Sequence, residues 1–415
     1  MNAVFTIAAK NYLPRARTLE ASLKRLHPTI AFHIFLADEF DTPLDEASGS
    51  RPVIEARTLR IPHWRDMAFY YDVLELACAI KPFCFRYLIR EFGYERIIYL
   101  DPDVYVYSSL EPILDALTDS LLMLTPHLTD LSRTTEGATP VSLFLFVGAY
   151  NLGFLAVRVC PDVEAALAWW GDRLVDHGFV DEREALHVDQ KWMDLIPGLL
   201  GDKVLISRDP GHNAAQWNMH ERQLTSERGG YFLNGRPLVF FHHTSFDPHN
   251  PARLAHRQSK FTLENRPEFS DMMTSYAAEL LANGYDRYIG LPHKYSTYEN
   301  GVKIFAFQRR LYRMVLRSRS VDQSPFAVGP GTFYDLLMRN RLIIPDREKG
   351  EYLQADFDGA ARWVHLFKRG LLLLKKVIGI KYYHLLIRWL NNNTRPEEQM
   401  FLIERNLESF GHGRR

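Results

Sequence analysis

The stretch Arg96-Ile97-Ile98-Tyr99-Leu100-Asp101-Pro102-Asp103 does most to constrain this chain. Residues 97–100 make an apolar run of the length of a buried strand. Pro102 has no N–H for a sheet ladder, so the strand stops at the first aspartate. Two carboxylates at i and i+2 around a residue of fixed φ can face one space without the chain winding into a helix. At the carboxyl end of an α/β strand, that space is where ligands bind. Close like charges favour a shared divalent cation, and hard oxygen ligands suit Mg2+ or Mn2+. A surface Asp-Pro turn is the plainer alternative.

The preceding chain supplies the context such a strand needs. Residues 4–8 read as a first strand ending at Ala8. Asn11-Tyr12-Leu13-Pro14 then turns into a helix, with Pro14 suited to its first position and Leu19, Leu23 and Leu26 along one face. A second strand over 32–36 ends in Ala37-Asp38, and this βαβ opening predicts a parallel sheet with crossover helices. Residues 41–62 read as loop with room for one short strand. A helix is predicted over 66–80, and Pro82 starts the next, over 83–92. Lys81 then stands at a helix N-terminus, as a phosphate partner or as a solvated surface lysine.

Beyond the aspartates, 110–117 reads as helix and 121–124 as strand, while 125–147 shows no clear period. Residues 129–140 read as an active-site loop. In the next strand, 151–157, Gly153 marks close approach by a ligand or another backbone. A helix opens at Pro161, with Val163, Ala166, Leu167, Trp170 and Leu174 on its inner face. His187-Val188-Asp189-Gln190 carries polar groups into an apolar helix that Asp189 can cap. Trp217 and Asn218 read as loop residues facing a cleft. Residues 238–241 form another buried strand, and His242-His243 at its end offers a third metal ligand or a hydrogen-bonded core histidine.

From about residue 256 strand-like runs give way to helical ones. Arg309, Arg313 and Arg317 share a helix face, as a phosphate stripe or a solvated one. Between Arg362 and Arg388 there are seven Lys/Arg and no acid, mixed with Leu and Val. Such a segment, 362–390, suits contact with an anionic membrane surface, or else docks its apolar side on the rest of the protein. Lys+Arg and Asp+Glu are both 50 in 415 residues, so no global field draws the chain to nucleic acid. Cys78, Cys84 and Cys160 form no disulfide framework and no zinc spacing, which predicts a reducing, cytoplasmic setting. No signal h-region and no uncharged run long enough to span a bilayer is evident.

Taken together, Asn11-Tyr12, Lys81-Pro82, Asp101-Pro102-Asp103, Asn151-Leu152-Gly153, Asp189-Gln190 and His242-His243-Thr244-Ser245 resemble, in order and rough spacing, the GT-A glycosyltransferases. The likeness is to family 8 and related bacterial surface-polysaccharide transferases, and it covers about 1–260. It implies a Rossmann-like α/β mixed sheet with helices on both faces over 1–260, and a mainly helical extension over 261–415 for acceptor, membrane-surface or oligomer contact. Asp101, Asp103 and His242 would hold Mn2+ or Mg2+. Ala8, Asn11 and Tyr12 would border the nucleotide of a donor, most simply a UDP-sugar, with Tyr12 stacking on the base. Lys81 would face its phosphates or sugar, and Asn151 and Gly153 would line the sugar. Asp189 and Gln190 would sit at the reacting carbon, favouring retention, and the acceptor would be a glycan, a lipid-linked sugar or a protein. Ala9 or Lys10 stands where family 8 carries an acid, Ser245 replaces a glycine, and His243 competes with His242 as ligand. A haloacid-dehalogenase-like phosphatase using Asp101 and Asp103, and an inactive sugar-nucleotide-binding module, are the rival readings.

Overall fold

A computed structural model of the protein describes residues 1–40, 53–227, 229–256, 258–344, 361–407 and 410. The expected loop over 41–62 therefore lies partly outside the described residues; from 53 on it holds the short strand Ile54–Glu55 and one helical turn, Ala56–Leu59. The chain divides into two compact units: Met1–Trp64 with Val73–Lys294, and Arg65–Asp72 with Tyr295–Arg415.

The first unit contains β1 (Asn2–Ala8), α1 (Leu13–Leu26), β2 (Ala31–Leu36), β3 (Ile54–Glu55), β4 (Arg96–Leu100), β5 (Val104–Val106), β6 (Leu122–Leu124) and β7 (Phe154–Arg158). Seven strands form one mixed sheet in the order Val204–Ile206, β6, β7, β4, β1, β2, β3. β1 runs parallel to β2 and β4, whereas β7 runs antiparallel to β4 and β6. Ala3, Val4, Phe5, Ile97, Ile98 and Leu100 are wholly buried, as their unbroken apolar runs require of strands covered on both faces. α1 has Pro14 in its first turn and buries Leu19 and Leu23. Leu26, expected on the same face, is exposed because the helix ends there.

The helix expected over 66–80 is two, Trp64–Tyr70 and Val73–Ala79. Arg309 explains the break: its guanidinium donates to the carbonyls of Phe69, Tyr71 and Tyr295, drawing the chain out of its helical path. The arginine stripe is therefore structural at Arg309, and Arg313 is buried as well. The segment without visible period contains a helix, Val141–Val147. In the second unit, Phe69, Tyr298, Leu311, Tyr312, Phe333 and Leu337 make a core of their own. Its long helix, Ala361–Asn393, breaks at Gly379. Among the described residues, no helix is long and apolar enough to cross a membrane.

Candidate active site

Sheet topology assembles the site. β1, β2 and β4 are parallel, so their carboxyl ends share one edge. The chain leaves β1 towards β2 on one side and returns to β4 on the other, which makes the gap between β1 and β4 the switch point where α/β sheets take ligands. Asn11 and Tyr12 follow β1 there, and Asp101 follows β4. Because β7 is antiparallel, with Phe154 opposite Leu100, its start delivers Asn151 and Gly153 to the same edge. The Asp101 N–H donates to the Gly153 carbonyl at 2.8 Å. β5 pairs antiparallel with Phe240–His242, with Val104 opposite His242, and that register sets His242 beside Asp103.

The Asp-Pro-Asp turn closes by a 3.0 Å bond from the Val104 N–H to the Asp101 carbonyl. His242 Nε2 lies 3.0 Å from Asp103 Oδ1 and 3.5 Å from Asp101 Oδ2. One ligand atom from each of Asp101, Asp103 and His242 lies within 4.8 Å of the other two. Two hard carboxylates and one imidazole suit Mn2+ or Mg2+, so the donor set fits the expected ion. His243 turns the other way: its ring stacks on Tyr276 at 3.7 Å, and Nε2 lies 3.3 Å from Tyr107 Oη. Of the two histidines, His242 faces the aspartates. Gly153 does mark a close approach, but to an imidazole: a Cβ there would lie 2.4 Å from His242 Cε1.

Burial pushes the Asp103 carboxyl up, yet His242 and Arg15 more than offset it and hold it at about 2. Asp101 is half-buried, and desolvation together with the facing charge of Asp103 raises its carboxyl despite Lys81 and His242. Burial lowers His242, but the two carboxylates outweigh it and its pKa is raised.

Lys81 is not a solvated lysine. It is 2% exposed, ion-paired with Asp189 at 2.5 Å, and donates to the Leu152 carbonyl at 2.8 Å. Its ammonium sits 4.1 Å over the Tyr99 ring, and Tyr99 Oη donates to Asp101 Oδ1 at 2.5 Å. Asp189 makes no side-chain cap on the turn Gln190–Leu195, so its capping role is not realised; Lys81 takes the carboxylate instead. Gln190 Oε1 accepts from the Leu152 N–H at 3.0 Å and its Nε2 donates to the Val147 carbonyl at 2.8 Å, which fixes the turn presenting Asn151. Asn151 Oδ1 accepts from the Gly153 N–H at 3.0 Å.

Asn11 and Tyr12 are half-buried in the one-turn helix Lys10–Tyr12, and Ala8 is buried with its carbonyl accepting from the Ala37 N–H. Arg15 went unread in the sequence. It is buried one helical turn after Tyr12, 5.1 Å over that ring, and donates to the Phe246 carbonyl at 2.9 Å. Asn213 also lacked a signal. Its Nδ2 joins Thr125 Oγ1 at 2.8 Å and Asn151 Oδ1 at 3.0 Å. Trp217 stands edge-on to His242 at 5.2 Å. Asn218, expected at the cleft, is wholly buried, accepting from the Ala215 N–H and donating to the Asn213 carbonyl.

No family model matches the chain. Two proteins of Bacillus subtilis (strain 168), both described as uncharacterized, are similar to parts of it. YfnF is 27% identical over 154 residues, 37% of this chain and 50% of that protein. YfnD is 22% identical over 175 residues, 41% and 54% respectively. The chain thus spans about half the length of the curated relatives it matches. Among solved structures, the galactosyltransferase LgtC in complex with donor and acceptor sugar analogues aligns with TM-score 0.39 and 16% identity, over 67% of this chain and 95% of that one. GlyE of Streptococcus pneumoniae TIGR4, a glycosyltransferase, aligns with TM-score 0.34 and 15% identity, over 72% and 66%.

Proposed function

We propose that this chain is a metal-dependent glycosyltransferase of the GT-A type, moving a sugar from a nucleotide-sugar donor, a UDP-sugar in the simplest case, to a glycan, lipid-linked or protein acceptor. The observation that carries the reading is the convergence of Asp101, Asp103 and His242 at the switch point between β4 and β1. In this reading these three residues hold Mn2+ or Mg2+. A divalent cation bound there supplies positive charge against the diphosphate leaving group. Tyr12 and Asn11 border the nucleotide, and Asn151 and Gly153 line the sugar. Lys81, already paired with Asp189, orients that carboxylate rather than adding a free positive charge. Gln190 holds the Asn151 turn in place.

Retention is the stereochemistry we favour. An inverting reaction needs a free carboxylate base, and Asp189 is ion-paired with Lys81 while Asp247 lies 3.4 Å from His256. The phosphatase reading needs Asp103 as a proton donor, and a carboxyl held at about 2 is a poor one.

The test is nucleotide-sugar turnover by the full chain, with and without Mn2+. We expect activity that chelation abolishes and Mn2+ restores, and loss of about 10²–10³-fold in Asp103→Ala with the fold intact. Wild-type turnover in that variant, or in chelator, would end the proposal. The anomeric configuration of the product decides retention against inversion.

A further inference from the structure

The helix Ala361–Asn393 presents to solvent what a protein ordinarily hides. Val364, Leu371, Leu374 and Ile378 share one half-buried face. Leu366, Leu373 and Val377, spaced i, i+7 and i+11, make a second apolar stripe that is 58%, 64% and 75% exposed. Arg369 and Lys376 flank it, each three residues past a leucine of the stripe. Gly379, at φ +76°, breaks the helix and resets its phase. Beyond the break the pattern returns. Tyr382, Leu385 and Trp389, at i, i+3 and i+7, are each more than half exposed, and Lys381, His384 and Arg388 run alongside.

We propose that this helix lies flat on an anionic lipid surface, its two exposed stripes sunk into the interface and its flanking cations among the headgroups. The inference stands whether or not the chain transfers sugars. Among the described residues this helix, like the others, is not long and apolar enough to cross a membrane. Tyr382 and Trp389 are the amphipathic rings that settle at headgroup depth. Charge selects the occupant. Between 362 and 388 there are seven Lys/Arg and no acid, so a second copy docking here would set like charge against like, whereas anionic headgroups neutralise it. Lys368 and Lys375 project to the opposite side, beside the half-buried face, and are outside the contact.

The test is co-sedimentation of the full chain with vesicles of phosphatidylcholine, alone or mixed with phosphatidylglycerol. We expect binding to the mixed vesicles only, weakened by salt. It should fall about fivefold for each of Arg369, Lys376, Lys381 and Arg388 changed to Gln. Lys368→Gln with Lys375→Gln should matter less. Leu373→Glu with Val377→Glu should abolish binding while the thermal midpoint stays put. Equal binding to neutral vesicles, or none to either, would overturn the inference on the unaltered protein alone. So would a concentration-dependent oligomer of the wild type that the Leu373→Glu/Val377→Glu chain cannot form, since a second copy would then be the occupant.

Discussion

The edge around Asp101 and the helix Ala361–Asn393 break the burial rule in opposite directions. At the edge, charges are inside: Lys81, Asp103, Asp189 and His242 are all buried. Along the helix, apolar groups are outside: Leu373, Val377 and Trp389 are more than half exposed. Buried charge is costly unless paired, and each of these four is paired within 3.0 Å. Exposed apolar surface needs no partner for folding, but a contiguous stripe of it marks an interaction surface. The first departure is held by fold geometry and read as a site for a small charged ligand. The second costs the fold little and is read as a face for something broad and anionic.

The contrast breaks most easily at Lys81. If its pairing with Asp189 is structural, Lys81→Met leaves a buried carboxylate alone and destabilises by about 3–5 kcal/mol. Lys81→Met with Asp189→Leu should recover much of that loss. Chemical denaturation of the single and double variants measures both. A Lys81→Met chain as stable as the wild type would mean that the edge tolerates unpaired charge.

A smaller effect is expected at Gly153. A methyl there meets the His242 ring at 2.4 Å, with backbone bonds to Asp101 and Asn151 on either side. Gly153→Ala should cost about 1–3 kcal/mol and weaken Mn2+ binding together, because the imidazole must move. Unchanged Mn2+ affinity in a destabilised variant would separate packing from ligand geometry.

The proposed metal site should also respond to pH with a definite sign. Asp103, held at about 2, is ionised throughout the working range. His242 has a raised pKa, so its protonated form contributes stability that is lost as pH rises through that value. A cation must displace that proton. Apparent Mn2+ affinity should therefore climb about tenfold per pH unit until His242 is neutral, then level. Thermal midpoints with and without Mn2+ from about pH 5.5 to about 8 read this directly. A flat profile would mean that His242 is not a ligand.

What could be read in advance follows the range of each interaction. Strands β1, β2 and β4 and the Asp-Pro-Asp stop are local patterns, and the sequence displays them. The end of a buried strand announced a histidine at this edge, but not which of His242 and His243 faces the aspartates; that depends on the pairing with β5. The Lys81–Asp189 pair was not legible, because each residue alone has an ordinary local role, surface lysine and helix cap, and only the packing of Lys81–Phe92 beside the Gln190 turn joins them. The break between Trp64–Tyr70 and Val73–Ala79 was hidden for the same reason: Arg309, which makes it, is far along the chain. Asn213 takes φ +50° and caps the Asn151 turn through its amide, a role that residue type alone does not announce.

The smallest expected effect is the one that separates the two halves of the comparison. Within one helix, Leu374 and Ile378 are half-buried while Leu373 and Val377 are exposed. Burial contributes roughly 25 cal/mol per Å² of apolar surface, so Leu374→Ser with Ile378→Ser should cost about 1–2 kcal/mol. Leu373→Ser with Val377→Ser removes surface that already meets water, and stability should stay within about 0.5 kcal/mol. Both pairs delete similar side chains one position apart, which controls for helix propensity. If the exposed pair proves as costly as the half-buried one, the stripe is covered by this protein in solution and the two regions obey the same rule after all.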